Sequence, residues 1–392
     1  MRLTIFWLSY QYDRRVRCDM GGFRATWEKA EALGRRGHRV IVFCPRLTRT
    51  PEETSAEVVR LPFLDLPGLR PLLVQLLFLV SALWTARAAR PDLIYVTGGL
   101  SPAPLLLARL LRRPLIFELN GDSAHHAELG GHRVRAAWAR AFYRSILPRA
   151  DFVAAVSEEL GRVLRNRYGL PAEKIRVLPN GANLEQMRPV PPALARERIG
   201  LEPDRPTVGF AGTFFGYQGL QTLIEAAPSI LERCPRALFL LVGDGEMRPA
   251  WEGMVRAKGL SAAFRFTGQV PYRQVPLCIN AMDVALAPMV ARRGPTSPLK
   301  LFDYWACARP VVASDLPDLA ELIRESRAAM AVPPDDPHAL ADAVSELLAD
   351  QAKRYALGTW GRRFVEARYS WAHVAERMEG LFLEAIRNWG RR

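Results

Sequence analysis

Short runs of continuously apolar residues alternate with longer amphipathic stretches along the whole chain. In the first half these runs occupy residues 3–8, 39–44, 93–96, 114–119, 152–156 and 175–178. In the second half they occupy residues 207–211, 238–242, 264–267, 284–287 and 311–313. Strands that are apolar on both faces are buried on both, and with helices between them they form parallel sheets with right-handed crossovers. The pattern therefore predicts an α/β protein with two doubly wound parallel sheets.

The length of the chain agrees with two domains. The chain has 392 residues, which is more than one hydrophobic core normally serves. A Pro-rich, charged stretch, PVPPALARERIGLEPDRP, precedes the first apolar run of the second half. We therefore expect one domain over residues 1–188 and a second over residues 189–370. The final stretch, residues 371–389, has a helical pattern and no strand of its own.

The most apolar stretch, LLVQLLFLVSALW, covers residues 72–84. Its 13 residues are fewer than the ~20 that a membrane-spanning helix needs. The stretch favours a buried helix. The alternative is an amphipathic helix on a membrane surface, which the flanking Arg70, Arg87 and Arg90 would suit. Both interpretations stay open at this point.

Cysteine usage and charge narrow the class of protein. The five cysteines are odd in number, widely spaced and without a C-x-x-C motif, which predicts a reducing compartment and no structural zinc site. The first residues lack the features of a signal peptide. The net charge is +14, of which residues 1–185 carry +11. This charge fits either a solvated Arg-rich surface or a face toward anionic lipid or a phosphate-bearing acceptor. No recognition motif supports a nucleic-acid partner.

Glycines follow several of the predicted strands, where open α/β sheets bind ligands. Gly21 and Gly22 precede a helical pattern over residues 23–36, so the backbone there can approach a phosphate at a helix N-terminus. In the second half, small or flexible residues follow three successive strands. They are Gly212 and Thr213, then Gly243 and Gly245, and then Gln269 and Val270.

Residues 297–315, SPLKLFDYWACARPVVASD, form the most informative segment. The pattern predicts a loop, a short helix and a buried strand. Lys300 and Asp303 lie three residues apart and so share one face of the helix. The lysine suits phosphate oxygens and the carboxylate suits the two hydroxyls of a ribose. The alternative is a simple ion pair between them, worth ~0.2–0.5 kcal/mol, and spacing alone favours it.

This segment resembles the C-terminal signature of the family-4 retaining glycosyltransferases, which is typically P-x-K-hydrophobic-x-E-Y-x-A-x-G-x-P-V-V-A-S-D. The stretches VLPNGANLEQMRP, GFAGTFFGYQGLQTLIEAAPSI, LVGDGE and FTGQVP also resemble that family in order and spacing. The resemblance implies a GT-B fold, in which two Rossmann-like domains face a cleft, the first on the acceptor side and the second on the donor side. It also implies that the C-terminal helix, residues 371–392, crosses back to the first domain and that no metal is needed.

The resemblance also implies roles for individual residues. Gly21 and Gly22 would approach the donor diphosphate, and the backbone of Gln269 and Val270 would meet the base. Asp303 replaces the glutamate that holds the ribose hydroxyls. On the acceptor side, Asn120 stands where many relatives have a histidine near the reacting sugar, and Asp122 and His125 follow it. The remaining donor-binding candidates are Gly212, Gly243, Gly245, Ser297, Pro298 and Leu299.

Several positions depart from the family pattern. Thr213 and Gln218 stand where most relatives have two basic residues for the diphosphate, and Pro295 replaces the first glutamate of an E-x7-E pair. We therefore expect Lys300 to supply the charge, together with Arg292 or Arg293. Arg309 stands where the pattern usually has glycine, which leaves the turn before the last strand open.

The predicted activity is transfer of a sugar from a UDP- or GDP-linked donor to a hydroxyl of a glycan or lipid-linked acceptor, with retention of configuration. Such a reaction belongs to polysaccharide or glycolipid biosynthesis. It requires no cofactor, and the protein would be cytoplasmic or peripheral on the inner face of the membrane. Two alternatives stay open: a non-catalytic scaffold that binds nucleotide sugars or membranes, and a nucleotide-sugar epimerase or phosphorylase on the same fold.

Overall fold

Two compact units make up the chain. A computed structural model describes residues 1–10, 21–46, 54–62, 70–295 and 297–391; Cys18 and Met20 lie outside these ranges. The first unit comprises Met1–Asn180, Gly294–Ser297 and Trp371–Arg392, and the second comprises Gly181–Arg293 and Pro298–Ser370. The predicted limit between residues 188 and 189 lies within the second unit.

Each unit contains one parallel sheet. The first sheet has the strand order β3-β2-β1-β4-β5-β6-β7 and the second has the order β10-β9-β8-β11-β12-β13. The strands are β1 (Thr4–Ser9), β2 (Arg39–Pro45), β3 (Glu57–Leu61), β4 (Leu93–Thr97), β5 (Leu115–Leu119), β6 (Phe152–Ala155), β7 (Ile175–Val177), β8 (Thr207–Ala211), β9 (Leu238–Val242), β10 (Phe264–Gly268), β11 (Val284–Ala287), β12 (Val311–Ser314) and β13 (Ala329–Val332).

Helices connect these strands and cover both sheets. In chain order they are α1 (Gly21–Arg35), α2 (Arg70–Ala89), α3 (Ala103–Leu111), α4 (Ser123–Leu129), α5 (Arg133–Ser145), α6 (Glu158–Tyr168), α7 (Pro192–Arg198), α8 (Leu220–Arg233), α9 (Arg248–Ala257), α10 (Val275–Asn280), α11 (Leu299–Ala306), α12 (Pro317–Ser326), α13 (Pro337–Ala349), α14 (Gln351–Arg368) and α15 (Trp371–Trp389). In each sheet the order reverses beside the unit's first strand, as it does in Rossmann-like domains. The predicted fold class is confirmed.

The C-terminal helix α15 belongs to the first unit. It contacts α1, and Phe382 meets Tyr95 of β4 edge to face, with the ring centroids 5.3 Å apart. Glu379 accepts a hydrogen bond of 2.9 Å from Nε of Arg36. The expected return of the last helix to the first domain is therefore confirmed.

Helix α2 is longer than the apolar stretch that predicted it, at 20 residues. One face lies in the core, where Val74, Phe78 and Ala82 are buried, while Leu76 and Trp84 on the other face are exposed. The prediction of a buried helix therefore holds for one face only. Within the described residues, α2 is also the one helix whose length and apolar composition would allow a membrane crossing.

The turn before β12 forms without the glycine that is usual there. Helix α11 ends at Ala306, and the chain turns through a left-handed conformation at Ala308, with φ of +53°. The Arg309 amide then donates to the Tyr304 carbonyl oxygen at 2.9 Å. Counted from Pro298, the glycine of the signature aligns with Ala308, which is also the residue with the positive φ. The position that needs the freedom of glycine is therefore Ala308, and the expectation for Arg309 is wrong by one residue.

Candidate active site

The carboxyl ends of β8, β9 and β10 pack against one another through their backbones. Gly212 donates to the Val242 carbonyl at 3.0 Å, and Gly243 donates to the Gly268 carbonyl at 3.1 Å. A Cβ atom on Gly243 would lie 2.0 Å from the Gly212 carbonyl oxygen, and one on Gly245 would lie 2.6 Å from that of Phe214. These glycines therefore shape the edge of the second sheet, and their direct contact with a donor stays a prediction.

Gly219, the residue directly before α8, allows the loop after β8 to close against the end of β11. Its φ is +68°, and an added Cβ would lie 1.7 Å from the Pro288 carbonyl oxygen. Gly259 has nearly the same φ, +69°, but its Cβ would meet nothing within 4 Å. A residue with a Cβ atom would pay the same cost at both positions for the left-handed backbone conformation, about 1–2 kcal/mol. Only at position 219 would the Cβ also collide with a neighbouring backbone atom.

We expect Gly219→Ala to lower the melting temperature clearly more than Gly259→Ala does. The reason is that the collision displaces backbone beside Gln218, whereas Gly259→Ala pays only the cost of its dihedral angles. Thermal unfolding of both variants measures the difference. Equal melting temperatures would show that the loop has room to move away from Pro288 and would contradict this packing.

Lys300 lies in the first turn of α11, among residues that follow β8. Its Nζ donates to Oε1 of Gln218, and it lies over the ring of Phe210, 4.2 Å from the centroid. A Cβ on Gly212 would be 3.7 Å from the same Nζ. The structure therefore brings together three of the predicted donor-binding residues, Gly212, Gln218 and Lys300, on one edge of the second sheet.

The surroundings of Lys300 disfavour its positive charge. Burial of the ammonium end, reinforced by the neighbouring positive charge of Arg293, holds the pKa of Lys300 well below its usual value. Arg293 is itself buried and pairs with Asp318 at 2.6 Å. Because the Asp318 carboxylate holds the Arg293 guanidinium, Arg293 influences Lys300 by electrostatic repulsion and not by direct contact. An anion placed beside Lys300 would relieve the cost of its charge.

The other predicted donor-side residues surround this edge. Asp303 is buried on α11, and the hydroxyl of the next residue, Tyr304, accepts a hydrogen bond of 2.8 Å from the Ala211 amide. This bond fixes α11 against the end of β8. Gln269 is exposed after β10, and Val270 packs partly into the core. Pro298 is buried directly before the helix, Leu299 begins it, and Thr213 is half-buried.

A buried charge cluster lies at the end of β5 in the first unit. Glu118 accepts a hydrogen bond of 2.8 Å from Nζ of Lys29 and one of 2.5 Å from the Tyr95 hydroxyl. All three side chains are buried. Burial, followed by the adjacent carboxylate, raises the pKa of Tyr95 well above its usual value, so the phenol stays a donor. Sequence reasoning missed this cluster, although a glutamate inside the apolar run LIFEL was its signal.

Glu118 orients Asn120, the predicted residue near the reacting sugar. Asn120 Nδ2 donates to the other carboxylate oxygen of Glu118 at 3.2 Å. A carboxylate only accepts, so this contact assigns the amide nitrogen to the Glu118 side. Oδ1 of Asn120 is buried and has no hydrogen-bond partner among the described residues. Buried amide oxygens are normally paired, so Oδ1 is suited to accept from a ligand hydroxyl.

Asp122 has a structural role at the start of α4. Its carboxylate accepts from the amides of Ala124 and His125 at 3.0 and 3.1 Å, and from the Tyr168 hydroxyl at 2.8 Å. Arg167 also pairs with it, at 3.2 Å. Asp122 is buried, and its oxygens are already engaged in the helix cap. We therefore do not retain it as an acceptor residue.

Gly294 lies against the residues that follow β5, within the first unit. A Cβ on Gly294, whose φ is +73°, would lie 2.6 Å from Cδ2 of His125. Ser297 Oγ accepts a hydrogen bond of 2.8 Å from Nδ2 of the buried Asn180. The structure therefore places Gly294 beside His125, and Ser297 beside Asn180, all within the first unit. Gly21 and Gly22 are the first two residues of α1, and the first amide groups of a helix have no partner within the helix itself.

Two family models match the chain. Residues 21–186 match the model described as Glycosyltransferase Family 4, and residues 205–350 match the model described as Glycosyl transferases group 1. The chain belongs to the family-4 glycosyltransferases. Together the two matches cover most of both units, including Lys300 with its neighbours Gly212 and Gln218, and Asn120 after β5.

Curated relatives agree with this family, and a solved structure shares the fold. The chain is 27% identical over 297 residues to alpha-D-kanosaminyltransferase of Streptomyces kanamyceticus, covering 74% of this chain and 75% of the relative. It is 28% identical to a GDP-mannose-dependent alpha-(1-6)-phosphatidylinositol monomannoside mannosyltransferase of Mycobacterium tuberculosis, over 72% and 73% of the two chains. Sucrose-phosphate synthase from Thermosynechococcus elongatus shares the fold with a TM-score of 0.81 at 24% identity, over 99% and 100%.

Metal ligands are not clustered in the described part of this glycosyltransferase. Among those residues, no group of three or more His, Cys, Asp or Glu side chains is placed to hold an ion. The expectation of a metal-independent reaction stays a prediction.

Proposed function

We propose that this family-4 glycosyltransferase transfers a sugar from a nucleoside-diphosphate donor to a hydroxyl of a glycan or lipid-linked acceptor, with retention of configuration. The bond between the anomeric carbon and the donor phosphate oxygen breaks, and a bond to the acceptor oxygen forms on the same face of the sugar. The acceptor proton passes to the departing phosphate oxygen, and a nucleoside diphosphate leaves.

The observation that carries this proposal is the environment of Lys300. An ammonium group whose pKa is held low by burial and by Arg293 is costly unless an anion binds beside it. Negative charge grows on the diphosphate as the sugar leaves, and fixed positive groups stabilise it most at that stage. Lys300 and the first turn of α11 therefore bind the leaving diphosphate.

The remaining donor contacts follow the family pattern. Asp303 binds the ribose hydroxyls, and the backbone at Gln269 and Val270 meets the base. A GDP-mannose-dependent relative supports a nucleotide sugar as donor, with UDP and GDP as the bases to test. Reactions of this kind serve polysaccharide or glycolipid biosynthesis, and we place this one in the cytoplasm.

Asn120 binds the reacting sugar through its unpartnered Oδ1. An amide oxygen is a poor nucleophile, so Asn120 positions the sugar and forms no covalent intermediate. We expect Asn120→Ala to lower kcat by about 10- to 100-fold, with a smaller change in the KM for the donor, because the contact orients the reacting centre. Initial-rate kinetics measure both constants. Asn166→Ala, at an exposed position on α6, is the control, and an unchanged kcat in Asn120→Ala would remove this role.

A donor panel tests the proposed reaction itself. The protein is incubated with UDP- and GDP-linked sugars, with and without glycan and lipid-linked acceptors, and the product's anomeric configuration is read by NMR. We expect release of the nucleoside diphosphate and a product with the donor's configuration. An isomerised nucleotide sugar formed without acceptor would instead indicate an epimerase. Tight binding without turnover on any acceptor would indicate a non-catalytic scaffold.

A further inference from the structure

An exposed apolar ridge runs along α2. Leu72, Leu76, Val80 and Trp84 are spaced four residues apart, and their exposed fractions are 66%, 53%, 56% and 73%. Residues four apart lie on one side of a helix. The opposite side of the same helix is buried in the core of the first unit through Val74, Phe78, Ala82, Ala86 and Ala89. Helix α2 therefore has two apolar sides, of which the described residues cover only one.

Neighbouring helices extend this α2 ridge into a wider surface. Helix α3 contacts α2 and exposes Leu106 and Leu110, which are also four residues apart. Trp138 of α5 is half exposed, and its Nε1 donates to the Leu100 carbonyl oxygen, just before α3, at 3.1 Å. Contiguous apolar surfaces of this kind on a folded protein mark contact sites.

The ends of the two helices are basic and nearly free of acidic residues. Between residues 66 and 117 the sequence contains six arginines and one acidic residue, Asp92, whose carboxylate accepts from the Thr4 amide. Within the described ranges, the exposed Arg90, Arg109 and Arg112 form no ion pair. The guanidinium of Arg87 lies over the ring of Trp84, 5.3 Å from its centroid.

The second unit shows no comparable surface among its described residues. Its large exposed apolar side chains are Leu194, Tyr355 and Trp360, on helices α7 and α14. Its exposed arginines include several with carboxylate partners, such as Arg233 with Asp342 at 2.7 Å. The α2–α3 surface, which consists of the α2 ridge, Leu106 and Leu110 of α3, and the arginines at the ends of both helices, therefore combines exposed apolar side chains with unpaired arginines.

We propose that the α2–α3 surface docks on an anionic lipid bilayer, with α2 lying parallel to the membrane plane. The α2 ridge enters the boundary between headgroups and acyl chains, and the arginines at the ends of α2 and α3 meet lipid phosphates. Trp84 with Arg87 beside it suits this interface, because an amphipathic ring sits at headgroup depth and an arginine keeps its charge in water. The proposal does not depend on the sugar-transfer reaction.

Packing and charge favour a bilayer surface over two alternatives, a membrane crossing by α2 and a second copy of the chain. A membrane crossing by α2 would remove Val74 and Phe78 from the core that they share with the first sheet. A second copy of the chain would bring identical arginine clusters together, because a two-fold interface pairs a surface with itself. An anionic bilayer instead supplies the opposite charge across the whole surface.

Co-sedimentation of the full chain with vesicles tests the proposal. We expect binding to phosphatidylcholine vesicles that contain phosphatidylglycerol, and release as salt rises, because screening weakens the arginine contacts. Trp84→Ser should weaken this binding by about 10-fold. Trp360→Ser is the matched control, because Trp360 is also exposed, at 47%, and also has an arginine three residues later, Arg363, over its ring.

The charge contribution is tested separately. Exchange of Arg109 and Arg112 for Gln should weaken binding to the anionic vesicles by about 20- to 30-fold, at roughly 1 kcal/mol per arginine, and leave binding to pure phosphatidylcholine unchanged. Nucleotide-sugar turnover without lipid should be the same in Trp84→Ser as in the wild type. The proposal is overturned if the wild type binds no vesicles at any salt, or if Trp360→Ser weakens vesicle binding as much as Trp84→Ser does. It is also overturned if Trp84→Ser dissociates a dimer of the protein and leaves vesicle binding unchanged.

Discussion

Replacement of Lys300 by Met is expected to lower the kcat for sugar transfer by about 100- to 1000-fold, the effect of removing one preorganised group that stabilises developing charge. Nζ of Lys300 lies beside Gly212 and Gln218, in the loop after β8. Initial-rate assays with the best donor from the panel measure the loss. Lys300→Arg should retain part of the activity, because it keeps the charge in a larger group.

The same substitution should raise the thermal stability of the ligand-free protein. The folded state holds the pKa of Lys300 below its usual value, so protonation costs free energy in the folded state and none in the unfolded state. The wild type therefore loses stability as the pH falls below the pKa of the lysine in the unfolded chain, and Lys300→Met avoids this loss. The difference between Lys300→Met and the wild type should be largest near neutral pH and shrink as pH rises toward the unfolded lysine's pKa.

An exposed lysine provides the control for both effects. Lys258→Met, at the end of α9, should change neither turnover nor melting temperature, because its side chain is in water. If Lys300→Met keeps near wild-type turnover, Lys300 does not stabilise the leaving diphosphate. If it loses both turnover and stability, the lysine supports the fold instead.

Replacement of Lys29 by Met should lower the free energy of unfolding by about 3–5 kcal/mol, because it leaves the Glu118 carboxylate buried without its cationic partner. The pair is fully buried, with Nζ and Oε2 2.8 Å apart. The Arg368–Glu325 pair is equally close, 2.7 Å, but both side chains are exposed. Arg368→Met should therefore cost less than about 1 kcal/mol, and thermal melts compare the two variants.

A double variant separates the charge from the packing. Lys29→Met combined with Glu118→Gln removes both charges, so its loss should be clearly smaller than the sum of the two single losses. Additive losses would contradict a direct pairing. Glu118→Gln, alone or combined with Lys29→Met, should also lower kcat, because the Glu118 carboxylate holds the Asn120 amide in place. An unchanged kcat in Glu118→Gln would show that Asn120 needs no such positioning.

The central strands were predictable from the sequence, and the edge strands only in part: β7 and β10 were predicted, whereas β3 and β13 were not. Strands buried on both faces are continuously apolar, so the apolar runs found all of the inner ones. Strands β3 and β13 lie at the edges of their sheets, and each exposes part of its length: Glu57 and Arg60 in β3, and Ala331 in β13. With a neighbour on one side only, such strands need no continuous apolar run.

Side-chain partners distant in sequence were the least predictable part of the candidate site. The 297–315 segment identified Lys300 and Asp303, but the contact of Lys300 with Gln218 joins residues 82 positions apart. Lys29 and Glu118 lie 89 positions apart, and only the sheet topology brings them together. Helix α2 was ambiguous for a related reason, because an all-apolar helix does not reveal which of its sides the fold covers.

Proton uptake on nucleotide binding tests the role of Lys300 most directly. Titration calorimetry with UDP and GDP, in buffers of different ionisation heat at mildly alkaline pH, measures the protons exchanged. An anion beside Lys300 raises its pKa, so we predict that the wild type takes up a proton on binding and that Lys300→Met binds more weakly without this uptake. Wild-type binding without proton uptake, or the same uptake in Lys300→Met, would contradict the account.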